Sequence, residues 1–245
     1  MIENLTSTEI LILIFLVCIY IIRKNNIFSS AILSDKEILI ERKKGNIVIE
    51  PFNQKQLGNC SYDVTLGEWF YTSKNSNCKY LNPWNKESIN SYWGEKQKAI
   101  TCTGTDEEIE MKLQIGQQYI ILQPGELILA HTNEFIGGQK GFTTMMKGRS
   151  TMQRSCLSIC SDAGMGDIGF INRYCVELCA KSKYPIVLIV GQRIGQIVFF
   201  PTGETDMPYY KKQNSYQSSG SIKELICNWK PENLLPIAKL YNPNL

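Results

Sequence analysis

Residues 173–180 read RYCVELCA, and residues 184–200 follow as YPIVLIVGQRIGQIVFF. Short apolar alternations of this kind, closed by Gly, Asn and Pro, mark strands rather than helices. Glu177 falls on the same face of its strand as Cys175 and Cys179, because side chains alternate with a period of two. A carboxylate at the centre of such a strand has two readings. Either that face is solvated, or Glu177 points into a partly dry site, where its pKa rises toward neutrality and suits it to shuttle protons.

The same texture extends outward through NIVIEPF (46–52), SYDVTLGEWFY (61–71), QYIILQPGELILAHT (118–132) and GFTTMMKGRS (141–150). A chain of 245 residues with this pattern predicts a mainly β fold, its antiparallel strands packed as a barrel or sandwich. Ser34 and Asp35 open one short helix that ends near Gly45, since hydroxyl and carboxylate oxygens cap free amides and glycine permits the left-handed exit. The polar stretch 72–105 reads as an excursion on one domain.

Residues 10–22, ILILIFLVCIYII, are continuously apolar and are followed by Arg23 and Lys24. Thirteen residues at about 1.5 Å each cover roughly 20 Å, against about 30 Å of hydrocarbon, so a span needs neighbouring residues drawn in. The favoured expectation is an N-terminal membrane anchor over residues 1–26 with the remainder facing the cytoplasm; a buried helix or strand in a soluble cytoplasmic protein is the alternative. Residues 27–221 then form the β domain, and 222–245 a C-terminal extension.

Twenty-six Lys and Arg against 23 Asp and Glu leave a net charge of +3, so no nucleic-acid partner is expected and any anion site is local. The single histidine, His131, excludes mechanisms that need two imidazoles from one chain. Nine cysteines lack the spacing of a disulfide scaffold and read as reduced thiols. Cys156 with Cys160 and Cys175 with Cys179 have the spacing of a four-thiolate zinc site, yet buried thiols in apolar strands are the better reading, and no resident metal is expected. Gly148-Arg149-Ser150-Thr151-Met152-Gln153-Arg154 is the densest chemical signal. Backbone amides, hydroxyls and two guanidinium groups suit phosphate oxygens, although a turn with surface arginines explains the string equally well.

In order along the chain, LSDKEI (33–38), GNCSYDVTLGEWF (58–70), LQPGELILAHTNEF (122–135) and GRSTMQR (148–154) resemble the motifs of the dCTP deaminases of the trimeric dUTPase superfamily. The register continues through Ala163, Asp167 and Glu177 to residue 201. The resemblance implies a distorted antiparallel barrel or jelly roll of the dUTPase-like type, here preceded by a hydrophobic helix. It also implies hydrolysis of dCTP to dUTP and ammonia in a homotrimer with sites between subunits. Glu177 would be the general base and acid, with Arg154, Ser150 and the backbone of Ala163 placing the water. Arg149, Ser150 and Thr151 would hold a triphosphate carried with Mg2+, Asp167 the sugar, and the backbone from Cys175 through Val176 to Glu177 the base; Tyr209 matches a tyrosine that closes over phosphates. Met165 stands where the family has arginine, and Gly169-Phe170-Ile171-Asn172 replaces Gly-Trp-x-Gly. The closing lysine and glutamine positions fall near Ser215 and Ser219. Zinc-dependent nucleobase deaminases need His-x-Glu and Pro-Cys-x-x-Cys, and this chain has neither. The alternatives are a dUTP diphosphatase, or a combined activity, on the same fold, and a non-catalytic, membrane-tethered binding protein that keeps it.

Overall fold

Helix α2 (Asp35–Lys43) begins where its cap demands: Ser34 Oγ accepts from the Glu37 N–H, and the Glu37 carboxylate accepts from the Ser34 N–H at 2.8 Å. It ends before Gly45, which adopts φ +74°. The computed structural model to which it belongs describes residues 6–24, 31–73, 78–160, 163–203, 205–212 and 216–238. Ser215 lies outside the described residues. The chain divides into two units, Met1–Ala31 and Ile32–Leu245.

The first unit contains α1 (Ser7–Lys24). Among the described residues no helix is long and apolar enough to cross a membrane. This overturns the expected membrane anchor and the orientation built on it. Glu9, Arg23 and Lys24 fall inside the eighteen helical residues, so the uninterrupted apolar run remains too short for a hydrocarbon core.

The second unit opens with α2, β1 (Ile47–Glu50), β2 (Tyr62–Thr65) and β3 (Trp69–Thr72). Then come α3 (Lys86–Trp93), β4 (Gln97–Lys98), β5 (Ile100–Thr101), α4 (Asp106–Glu110), β6 (Gln118–Leu122), β7 (Leu127–Gly138) and β8 (Phe142–Gly148). Next are α5 (Ser150–Arg154), β9 (Leu157–Ile159), β10 (Met165–Gly166), β11 (Asn172–Ala180), β12 (Ile186–Ile189), β13 (Arg193–Pro201) and α6 (Ile222–Asn228). All pairings are antiparallel. One sheet runs β4-β3-β7-β11-β9 with β1 also on β7, a second runs β10-β8-β13-β2, and a third runs β12-β6-β5. The three share one core, in which Tyr62, Leu122, Ile136, Val176, Leu178, Ile197 and Phe199 are fully buried.

The polar excursion carries an element its composition conceals. Asn85 caps α3, and Ile89 and Trp93, one helical turn apart, bury against Tyr71, Leu129 and Leu234. His131 is a core residue: its Nε2 accepts from the Trp69 N–H at 3.2 Å, which leaves the proton on Nδ1 to donate to the Thr132 carbonyl at 2.8 Å. Burial pushes its pKa down to about 4, so the ring stays neutral.

At the end of β7, a Cβ on Gly138 would run into the Phe142 carbonyl, which is backbone and cannot swing away. Gly138→Ala is therefore expected to cost about 2–3 kcal/mol, read as a lower denaturant midpoint with an unchanged slope.

Candidate active site

In β11, Tyr174, Val176, Leu178 and Ala180 are at most 5% exposed, whereas Arg173, Cys175, Glu177 and Cys179 alternate with them on the partly open face. Packing of the apolar set fixes the register and turns Glu177 outward from the core. On the neighbouring strand its Cα partner is Leu129, and a bulge between Arg173 and Cys175 shifts the register of the ladder. On the other side, the Cys160 N–H donates to the Glu177 carbonyl at 3.3 Å.

Glu177 borders a cavity of about 330 Å³, together with Ala163, Asp167, Cys175 and Tyr209. Five of the residues expected at the site therefore meet in one place. Val176 does not line the cavity; its side chain is fully buried in the core. Asp167 is held by a turn in which its carbonyl accepts from the Phe170 N–H at 2.9 Å, with Gly169 at φ +87°. Phe170 then meets Tyr209 edge to face at 5.3 Å between centroids. The replaced Gly-Trp-x-Gly turn thus still carries an aromatic side chain against the cavity wall.

Loss of hydration raises the Glu177 pKa above the ordinary carboxylate value, and its backbone hydrogen bonding and the Cys160 thiol offset this only in part. If Glu177 must be ionised to take a proton from water, activity falls as pH drops through that raised value. The expected kcat/KM profile has its acidic limb above the usual glutamate range. A limb at or below that range contradicts the assignment.

Arg149, Ser150, Thr151 and Arg154 do not border this cavity. Arg149 is the N-cap of α5, and with Thr151 it lines a separate cavity of about 360 Å³ against β12 and β13. Its guanidinium pairs with Asp63, which also takes Arg193 Nη1 at 3.1 Å. Ser150 and Arg154 are exposed on α5. Within one chain the expected residues therefore form two separated groups, one built around a carboxylate and one around arginines.

Two side chains and one C-terminal segment contribute beyond the expected residues. Asp63 is 8% exposed at the centre of β2, and a buried carboxylate there signals a cation partner. Arg173 shares the Glu177 face and lines the same cavity, as the period of two allowed. Tyr216, Asn233, Leu234 and Pro236 also line it, from a stretch without sequence landmarks. The zinc spacing has no counterpart in the fold: Cys156 and Cys160 flank β9 with left-handed backbones (φ +62° and +46°). Among the described residues no group of three or more potential ligands gathers.

Residues 32–202 match the family model described as dCTP deaminase-like. The curated "dCTP deaminase, dUMP-forming" of Methanococcus vannielii is 33% identical over 207 residues, covering 82% of this chain and 98% of that protein. The protein of the same name from Methanocaldococcus jannaschii is 32% identical over 197 residues, covering 77% and 93%. Among solved structures, the 2'-deoxycytidine 5'-triphosphate deaminase from Agrobacterium tumefaciens aligns with a TM-score of 0.47 and 16% identity, over 70% of this chain and 48% of that one. The match across most of the chain and the identity to these relatives lead to one conclusion: this chain belongs to the dCTP deaminase family.

Proposed function

We propose that this chain hydrolyses the amino group of dCTP and carries the nucleotide on to dUMP, with Glu177 as the proton-transferring carboxylate. The observation that carries the reading is Glu177 itself, half-buried at a cavity edge with its pKa raised by burial. Ionised, it takes a proton from water as the oxygen adds to C4 of the cytosine ring, and passes that proton to N3. It then takes the proton of the new C4 hydroxyl and delivers it to the exocyclic nitrogen, the C4–N bond breaks, ammonia leaves and a carbonyl forms at C4. One carboxylate serves as base and then as acid. The combined outcome, rather than release of dUTP, is favoured by the name of the relatives, dUMP-forming dCTP deaminases. The second step is attack of water on the α-phosphorus, which breaks the α–β anhydride and releases pyrophosphate. Magnesium travels with the triphosphate as part of the substrate.

The arginine group belongs to the same reaction in this reading, supplied by a neighbouring subunit. A distorted dUTPase-like barrel associated as a closed trimer sets Arg149, Ser150, Thr151 and Arg154 of one protomer against the Glu177 cavity of the next. The Asp63 pairing holds the Arg149 fork in a fixed direction, which suits a triphosphate; Arg154, Ser150 and the Ala163 backbone place the water. Asp167 takes the sugar, the Cys175–Val176 backbone takes the base edge, and Tyr209 closes on the phosphates.

The test is incubation of the full chain with dCTP and separately with dUTP, following ammonia and pyrophosphate independently. Equal amounts of both from dCTP are expected. Pyrophosphate from dUTP without ammonia from dCTP would leave only a diphosphatase, and neither product from folded protein would leave a binding protein.

A further inference from the structure

We infer that residues 216–238, beyond the family-matched part of the chain, form a fixed wall of the Glu177 cavity, and that Trp229 is the positioning residue that seats this wall. The inference deepens the proposed deamination and rests on it for its kinetic consequence. Its structural half stands alone. Tyr216, Asn233, Leu234 and Pro236 border the same cavity as Glu177. Leu234 is 4% exposed and packs with Leu129, the residue opposite Glu177 on β7. Its carbonyl accepts from the Cys175 thiol at 3.5 Å, so the wall lies directly over the strand that carries the carboxylate.

Trp229 supplies the anchor. It follows α6 directly, and its ring takes the Arg173 guanidinium at 4.6 Å on one side and the His131 ring at 4.7 Å between centroids. Arg173 also lies 5.3 Å from the Phe135 ring and lines the cavity. A cation held against aromatic faces in a desolvated place keeps the indole in one position, and the Pro231–Leu234 turn follows within two residues. The wall's first residues are pinned by Gln217, 4% exposed, whose side chain accepts from the Ile171 N–H at 2.7 Å and donates to the Gly169 carbonyl at 3.1 Å. The exposed Lys96–Glu232 pair adds little.

Leu129, Leu234 and Pro236 present an apolar edge beside the carboxylate. Such an edge contacts a flat pyrimidine equally in ground and transition states, so its loss weakens binding more than chemistry.

The experiment uses the full chain as Trp229→Ala, Trp229→Phe and Leu234→Ala. Two quantities are read: dCTP kinetics, and the rate at which iodoacetamide modifies Cys175, located by peptide mass spectrometry. In Trp229→Ala, Cys175 alkylation is expected to rise about tenfold as the wall opens, and KM about tenfold with kcat within about threefold. Trp229→Phe keeps a ring face for Arg173 and restores most of both. Leu234→Ala trims the wall without touching the anchor, and serves if Trp229→Ala fails to fold; it too exposes Cys175. Unchanged Cys175 alkylation in a folded Trp229→Ala or Leu234→Ala variant, or an unchanged KM beside active wild type, overturns the inference. A wild-type chain inactive on dCTP would defeat the proposed function instead, while the alkylation rates would still decide whether the wall exists.

Discussion

Glu177→Gln is expected to abolish ammonia release from dCTP, lowering kcat by about 10³–10⁴, while the protein stays folded and still binds the nucleotide. The amide keeps the shape and one acceptor of the carboxylate but has no basic oxygen, so water cannot be deprotonated at C4. Stability moves the other way. Because burial raises the Glu177 pKa, the folded state binds this proton more tightly than the unfolded state. The contribution is therefore favourable when the group is protonated, and it is lost as pH rises through the folded value. At neutral pH the ionised carboxylate is a cost, so the glutamine variant should unfold at or above the wild-type temperature. Activity within tenfold of wild type would remove Glu177 from the reaction.

Arg154→Ala is the second large effect. Arg154 is exposed on α5 and has no ion pair among the described residues, so its loss should change stability by no more than about 0.5 kcal/mol. Turnover of dCTP is nevertheless expected to fall about 10²–10³-fold, because a guanidinium that orients water acts only in the assembled site. A drop in stability with normal turnover per folded molecule would make it a structural arginine.

The strand carrying the carboxylate could be read from sequence because its packing is local and periodic: four apolar residues of β11 face the core, and that alone fixes where Glu177 points. Helix α2 was legible for the same reason, its cap lying within four residues of sequence. Pairings at long range were not. Asp63 and Arg149 are 86 residues apart and meet only because β13 lies between β2 and β8. The excursion looked featureless since only Ile89 and Trp93 of α3 bury, and the wall over the cavity depends on Trp229 meeting Arg173 across the fold. At the N-terminus the shortfall in apolar length was visible in the sequence, and the helix that forms there draws in charged Glu9, Arg23 and Lys24 rather than the apolar neighbours a span needs.

The separation of Glu177 from the arginines within one chain makes a single measurement decisive for the proposed shared site. Glu177→Gln and Arg154→Ala chains, each inactive alone, are unfolded together, refolded as a mixture and assayed for ammonia from dCTP. In a trimer whose sites each take the carboxylate from one subunit and the arginine from the next, about a quarter of the sites in an equal mixture carry both native residues. Ammonia release at about that fraction of the wild-type rate is the expected result. A mixture as inactive as its parents, with association intact, would contradict it.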